Sequence, residues 1–66
     1  MKEKLEARNR ISAKPFIISF VLKNIENYTE KDGYKAEKLL QKYVPKELIY
    51  KSDIENWLKL NWNKYN

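Results

Sequence analysis

Hydrophobic positions between residues 15 and 28 recur with the period of an α-helix. Polar residues spaced four apart from Ser19 to Asn27 fall on one arc, and apolar residues cover most of the remaining surface. We therefore predict a helix over 15–28 that begins at Pro15, because proline suits the first turn, where its missing N–H costs nothing. A buried strand over 16–22 is the alternative, since β-branched and aromatic residues are frequent there.

Two more helices are predicted downstream. Apolar residues over 34–44 follow the i, i+3, i+4, i+7, i+8 spacing, and Pro45 ends this helix because the residue before a proline disfavours helical angles. The last helix is predicted to begin at Ser52, which with Glu55 matches the capping box, a pair that satisfies two backbone donors of the first turn. Its apolar face consists of Ile54, Trp57, Leu58, Trp62 and Tyr65.

The segments between these helices carry turn signals. Residues 29–33 include the only glycine and are predicted to form a turn, in which Thr29 with Asp32, or Asp32 alone, caps the helix that follows. The stretch 46–51 is compatible with a short strand, an extended connector or one helical turn. The apolar residues at 48–50 are the centre of this ambiguity.

The whole chain, 1–66, is predicted to be a single all-α domain of three or four helices, with an extended piece at 48–50 as an open addition. Residues 1–14 form a charged N-terminal segment, either a short helix or a frayed, partly disordered basic arm. A chain of this length buries a thin core, and without Cys or His no disulfide or zinc site adds stability. Self-association into a homodimer is therefore left open.

Positive charge is unevenly distributed along the chain. The formal net charge is +5, with excesses in 1–14 and 34–51 and none in 52–66. Two basic patches on a small body are typical of a protein whose partner is a polyanion. The alternative is that many of these lysines only keep the chain in solution.

The stretch from 34 to 46 places four lysines on one side of its predicted helix. At about 100° per residue they lie within about 80° of one another, and the apolar face is centred roughly 120° away. Such a row can follow a phosphate backbone, and the N-terminal arginines can lie along phosphates or enter a minor groove. The alternative is an ordinary exposed face whose lysine stems cover apolar surface. The candidate nucleic-acid-binding residues are Lys35, Lys38, Lys42, Lys46, Arg8 and Arg10.

The segment 48–59, with the sequence LIYKSDIENWLK, resembles the closing piece of excisionase-type, MerR-like winged-helix DNA-binding proteins. In that family a short wing strand leads into a helix opened by Ser-Asp and anchored by Trp-Leu. The resemblance implies that the helix over 34–44 faces DNA and that 46–51 is a reduced wing. The residues that fit the family pattern are Ser52, Asp53, Ile54, Trp57 and Leu58.

Catalysis is not expected from this composition. His and Cys are absent, which removes the commonest general base and a common nucleophile, and one glycine cannot build a phosphate-cradling loop. The carboxylates alternate with lysines as on solvated helix faces, so we expect no metal site and no cofactor. The longest apolar run, 16–22, is far shorter than the roughly 20 residues of a membrane span, so we expect a cytoplasmic protein without membrane contact.

The sequence leaves two functions open. The first is a small DNA-binding protein that regulates transcription or assists another factor, of the kind carried by phages and mobile elements, and docks through its lysine-rich helix face. Tyr34, Tyr50 and Tyr65 lie near lysines and either stack unpaired bases or form the rim of the core. The alternative is a small inhibitor or adaptor that binds a host protein through apolar and aromatic residues of the 15–28 and C-terminal helices.

Overall fold

The computed structural model describes residues 3–65, in which three α-helices form. These are α1 (Arg10–Asn24), α2 (Glu30–Lys42) and α3 (Lys51–Asn61), and a short 3-10 helix (Trp62–Lys64) continues from α3. The prediction of a small all-α domain is confirmed. The first two residues of the predicted N-terminal segment lie outside the described residues.

The first helix, α1, begins five residues before the predicted start at Pro15 and is helical where a strand was the alternative. The side chain of Asn9 caps it, because its Oδ1 accepts a hydrogen bond of 2.8 Å from the N–H of Ser12. Pro15 then lies inside the helix and removes one backbone donor on the exposed side. The helix ends at Asn24, before the predicted Tyr28, because the backbone of Ile25 is extended. Asn27 in the turn that follows has a φ of 55°, a left-handed conformation that asparagine tolerates.

The second helix, α2, begins at Glu30 and therefore includes Gly33 and most of the predicted turn 29–33. Its start is set by the cap that the sequence predicts. The carboxylate of Asp32 accepts a hydrogen bond of 2.9 Å from the backbone N–H of Thr29. The cap prediction is confirmed, and the helix is one turn longer at its N-terminus than the apolar spacing indicates.

The third helix, α3, begins one residue before the predicted Ser52, and the capping box is not formed. The first N–H of the helix, that of Lys51, donates to the carbonyl of Glu3 at 2.7 Å. Ser52 lies in the first turn, and the carboxylate of Glu55 accepts a hydrogen bond of 3.2 Å from Asn24 of α1. The predicted box is wrong because another part of the chain supplies a backbone acceptor for the helix start.

Residues 3–5 pair with the chain around the start of α3, and no helix forms over 3–9. Lys4 and Tyr50 form an isolated antiparallel bridge, and the N–H of Leu5 donates to the carbonyl of Ile49 at 2.8 Å. Residues 3–9 of the predicted N-terminal segment 1–14 thus form neither a short helix nor a frayed arm, and residues 10–14 belong to α1. The pairing also makes the connector before α3 extended, one of the forms that the sequence left open.

The hydrophobic core lies where the three helices meet. Trp57 and Trp62 are partly buried against it, and Ile54 and Leu58 are fully buried, as predicted for the apolar face of the last helix. The Cα radius of gyration is 10.8 Å, which matches about 11 Å expected for a globular chain of this length. The buried core residues are Ala13, Phe16, Ile17, Phe20, Val21, Ala36, Leu39, Leu40, Val44, Ile54 and Leu58.

Candidate nucleic-acid interface

One side of α2 carries four lysines. Because the helix starts at Glu30, these lysines occupy positions i, i+4, i+7 and i+11 and share an arc of about 60° at about 100° per residue. The inward side holds Leu39 and Leu40, which are fully buried. The leucines thus fix the helix to the core and hold the lysines outward. We call Lys31, Lys35, Lys38 and Lys42 the lysine flank.

Two carboxylates of α2 lie on a different side of the helix. Glu30 and Glu37 line a groove between α2 and α1. The carboxylate of Glu37 lies 3.7 Å from the guanidinium Nε of Arg10. The helix therefore separates its charges, and these two acids face α1 instead of the lysine flank.

The lysines differ in whether their ammonium groups have a partner within the described fold. The Nζ of Lys35 lies 4.6 Å from the ring centroid of Trp62, a cation–π contact that holds this side chain against the C-terminal end of the chain. Lys38 and Lys42 are exposed, and the predicted Lys46 is exposed in the turn beyond the helix. In the part of the chain that the structure describes, no carboxylate forms an ion pair with these lysines. Lys38, Lys42 and Lys46 are therefore available to an external anion.

A cleft of about 540 Å³ opens between the lysine flank and the C-terminal end of the chain. Pockets that bind small molecules commonly have volumes of ~300–1,000 Å³, so the cleft is large enough to hold part of a ligand. Its cations come from two elements, α2 and the 3-10 helix. We call it the basic cleft, and it is lined chiefly by Lys31, Lys35, Lys38, Lys64, Tyr43 and Tyr65.

Aromatic rings stack at one wall of the basic cleft. The ring centroid of Tyr65 lies 4.4 Å from that of Tyr43 and 6.2 Å from that of Trp57, with interplanar angles of 28° and 21°. Tyr43 is 42% exposed and lines the cleft. The stack therefore ends at a tyrosine that retains accessible surface, beside the lysines.

Among the described residues, Asp32 is the one carboxylate that lines the basic cleft. Its oxygen already accepts the hydrogen bond from the N–H of Thr29 that caps α2. Four lysines thus line the cleft together with a single carboxylate, which is engaged in the cap of α2. A concave surface with this excess of cations attracts anions.

The structure does not bring the two predicted arginines to the basic cleft. The Arg8 guanidinium lies at the C-terminal end of α2, where it donates to the carbonyls of Val44 at 2.7 Å, Pro45 at 2.8 Å and Leu48 at 2.7 Å. The side chain of Arg10 is 70% exposed and lies on the side of α2 that carries the carboxylates. Arg8 therefore has structural partners, and Arg10 belongs to a different surface from the lysine flank.

Sequence reasoning misses three contributors to this surface. Lys31 falls in the predicted turn, although the Thr29 and Asp32 pattern is a signal that the helix starts early enough to include it. Tyr43 and Lys64 line the cleft from positions 21 residues apart, and no local pattern pairs them. They come together only in the folded chain, where the 3-10 helix after α3 lines the same cleft as α2.

No family model, curated protein or solved structure matches this chain. Within residues 3–65, acidic side chains do not gather in a group of three or more that could hold a metal ion. No helix in this described range is long and apolar enough to span a membrane.

Proposed function

We propose that this protein is a small DNA-binding regulatory or accessory protein that docks on the phosphate backbone through its lysine flank and the adjoining Lys46. The observation that carries the proposal is the exposure of Lys38, Lys42 and Lys46, for which the described residues provide no carboxylate partner. A cation without a counter-ion in its own fold can pair with a phosphate at little cost. Each such pair releases counterions that are condensed on DNA, which favours binding at low salt.

The geometry of α2 supports contact with several phosphates at once. Lys31 and Lys42 are eleven residues apart, which is about 16 Å along a helix at ~1.5 Å per residue. One DNA strand rises ~3.4 Å per nucleotide, so this length covers several phosphates. Lysine binds phosphate as a point charge, and the flank has no Arg, Asn or Gln for paired contacts with base edges. We therefore expect weak sequence specificity from the flank.

The resemblance of 48–59 to excisionase-type proteins implies the same kind of partner, although α3 begins at Lys51 and Ser52 does not cap it. It assigns the DNA-facing role to the helix over 34–44, and most of the lysine flank lies on that helix. In this scheme the protein works in the cytoplasm, without a cofactor, on DNA of a phage or a mobile element.

The proposal is tested by charge reversal on the flank. The double variant Lys38→Glu and Lys42→Glu changes two exposed side chains and should leave the fold intact. We expect wild-type affinity for a labelled duplex, measured by fluorescence anisotropy, to fall roughly 40- to 150-fold between about 50 and 200 mM salt if three or four phosphates are contacted. The variant should bind about 100-fold more weakly at the lower salt and lose about two units of the salt slope.

A matched control keeps the net charge of the variant but moves the changes elsewhere. Lys23 and Lys59 are exposed and line grooves other than the basic cleft. We expect Lys23→Glu with Lys59→Glu to retain affinity within about fivefold, because neither side chain belongs to the lysine flank or lines the basic cleft, and salt screens exposed charges over a Debye length of about 10 Å. Equal losses in both double variants would mean that the protein responds to net charge alone, and the assignment to the lysine flank would be wrong.

A second candidate function is suggested by the outer face of α1. Ile11, Ile18 and Leu22 are 85%, 47% and 55% exposed and lie along one line of the helix. Exposed apolar residues in a row are typical of a protein-binding surface, as in an inhibitor or adaptor of a host protein. The test is capture of a host protein by the two kinds of variant. If the Lys38 and Lys42 variant still captures it and Ile18→Glu does not, protein binding replaces DNA binding as the proposed function.

A further inference from the structure

The stacked aromatic rings of the basic cleft provide a surface that phosphate binding alone does not use. Tyr65 contacts both Trp57 and Tyr43, so these rings support one another. Tyr43 is 42% exposed and is one of the residues that line the cleft. Every nucleobase has a flat face that can add to such a stack, so stacking does not depend on the sequence of the strand.

The lysines that line the same cleft as this ring come from two elements. Lys31 and Lys38 belong to α2, and Lys64 comes from the 3-10 helix. Lys35 is held by the ring of Trp62 and so helps to keep the wall in place. An aromatic platform bordered by lysines is the arrangement with which proteins hold single-stranded nucleic acid, since bases stack while phosphates meet the cations.

We propose that the basic cleft seats an unpaired base on the accessible surface of Tyr43, and that the protein therefore prefers single-stranded DNA to duplex. This inference rests on the proposed function, because the lysine flank supplies the phosphate contacts. In a duplex the bases are stacked and paired, so they cannot reach a tyrosine within a cleft. A strand fits better than a free nucleotide, because the cations continue beyond the cleft to Lys42 and Lys46.

The test compares ligands that differ only in their bases. The probes are a labelled oligothymidylate of about ten nucleotides, an abasic strand with the same number of phosphates, and the corresponding duplex. We expect the oligothymidylate to bind the full chain about five- to hundredfold more tightly than the abasic strand, the range that stacking of one base provides. It should also bind more tightly than the duplex despite its lower charge density.

The contribution of Tyr43 is separated from general effects by two substitutions. Tyr43→Leu keeps an apolar side chain against Tyr65 but removes the flat ring, and it should abolish the preference for bases over abasic sites. Tyr43→Phe keeps the ring and should retain the preference of the wild type for bases. Circular dichroism verifies that both variants are folded, and binding to the abasic strand, which depends on the lysine flank, should not change in either.

The outcomes distinguish this inference from the proposed function. Equal affinity for the oligothymidylate and the abasic strand, with salt-sensitive binding to duplex, overturns the base-binding role and leaves DNA binding in place. Salt-insensitive or absent binding to every strand overturns both. Tighter binding of thymidine monophosphate than of the oligothymidylate overturns the strand as the occupant of the cleft.

Discussion

The side chain of Arg8 binds four backbone carbonyls at once. Besides its bonds to Val44, Pro45 and Leu48, its Nη1 approaches the carbonyl of Leu40 at 3.4 Å. A helix leaves its last carbonyls without intrahelical donors and carries a partial negative charge at that end. Leu40 belongs to the last turn of α2, and the other three carbonyls belong to the connector after it. The guanidinium therefore fastens this connector, and the end of α2, to the N-terminal segment.

Replacement of Arg8 should destabilise the whole domain. We expect Arg8→Met to lower the free energy of unfolding by about 2–3 kcal/mol, because several partly buried carbonyls lose their donor. The measurement is urea unfolding followed by tryptophan fluorescence and circular dichroism. The apolar stem is preserved in methionine, so the loss reports on the hydrogen bonds.

Arg10 provides the matched control two residues away. It is largely exposed and lies 3.7 Å from Glu37, and such surface ion pairs contribute only about 0–1 kcal/mol. Arg10→Met should therefore change the free energy of unfolding by less than about 1 kcal/mol. If the two substitutions cost the same, the role assigned to Arg8 is wrong.

At the scale of the element, the starts of α2 and α3 are made in different ways. The α2 start uses a local side chain, the carboxylate of Asp32, which lies three residues after Thr29. The α3 start uses a distant backbone carbonyl, that of Glu3, which accepts from Lys51. The first kind of cap can be predicted from neighbouring residues, and the second depends on a contact that forms only in the folded chain.

Two alanine substitutions distinguish these starts. Asp32→Ala removes the acceptor for the N–H of Thr29 and should cost about 0.5–2 kcal/mol of the free energy of unfolding. Ser52→Ala should change it by less than about 0.5 kcal/mol, because Ser52 lies on the exposed side of the first turn of α3 and alanine has the higher helix propensity. Thermal and urea unfolding of the two variants measure the difference. A larger loss for Ser52→Ala would restore the capping box that the sequence predicts.

The sequence predicts features that depend on neighbouring residues and misses features that depend on contacts between distant parts of the folded chain. Apolar spacing predicts the helices themselves, and it places Leu39 and Leu40 inward with Lys38 and Lys42 outward, as the structure has them. Helix ends were predicted less well, because a single glycine at 33 does not outweigh a cap and continued backbone hydrogen bonding. The partners of Arg8 and the stack at the basic cleft join residues far apart in the chain, so no local pattern contains them.

At the scale of the whole molecule, positive charge is concentrated on the lysine flank and around the basic cleft. Lys38 has Lys35 three residues before it and Lys42 four residues after it, and Lys64 also lines the cleft. Like charges at these helical spacings destabilise a helix by about 0.2–0.5 kcal/mol per pair. In the described part of the chain no carboxylate ion pair offsets this repulsion. The flank therefore reduces the stability of the free protein, which is the expected consequence of a surface that is neutralised only when its ligand binds.

This repulsion leads to a prediction in which stability and binding change in opposite directions. Lys38→Gln should raise the free energy of unfolding by about 0.4–1 kcal/mol at low salt, since it removes two like-charge pairs at little change in helix propensity. The gain should vanish near 1 M salt, where the Debye length is about 3 Å.

Lys23→Gln is the control, and it should lower stability by a few tenths of a kcal/mol, because Lys23 lies in the last turn of α1, where a cation is favourable. Urea unfolding at the two salt concentrations measures both variants, and anisotropy should show weaker DNA binding for Lys38→Gln alone. A loss of stability in Lys38→Gln at low salt would mean that the ammonium group is already neutralised within the fold, and the flank would then have no unpaired charge to offer a phosphate.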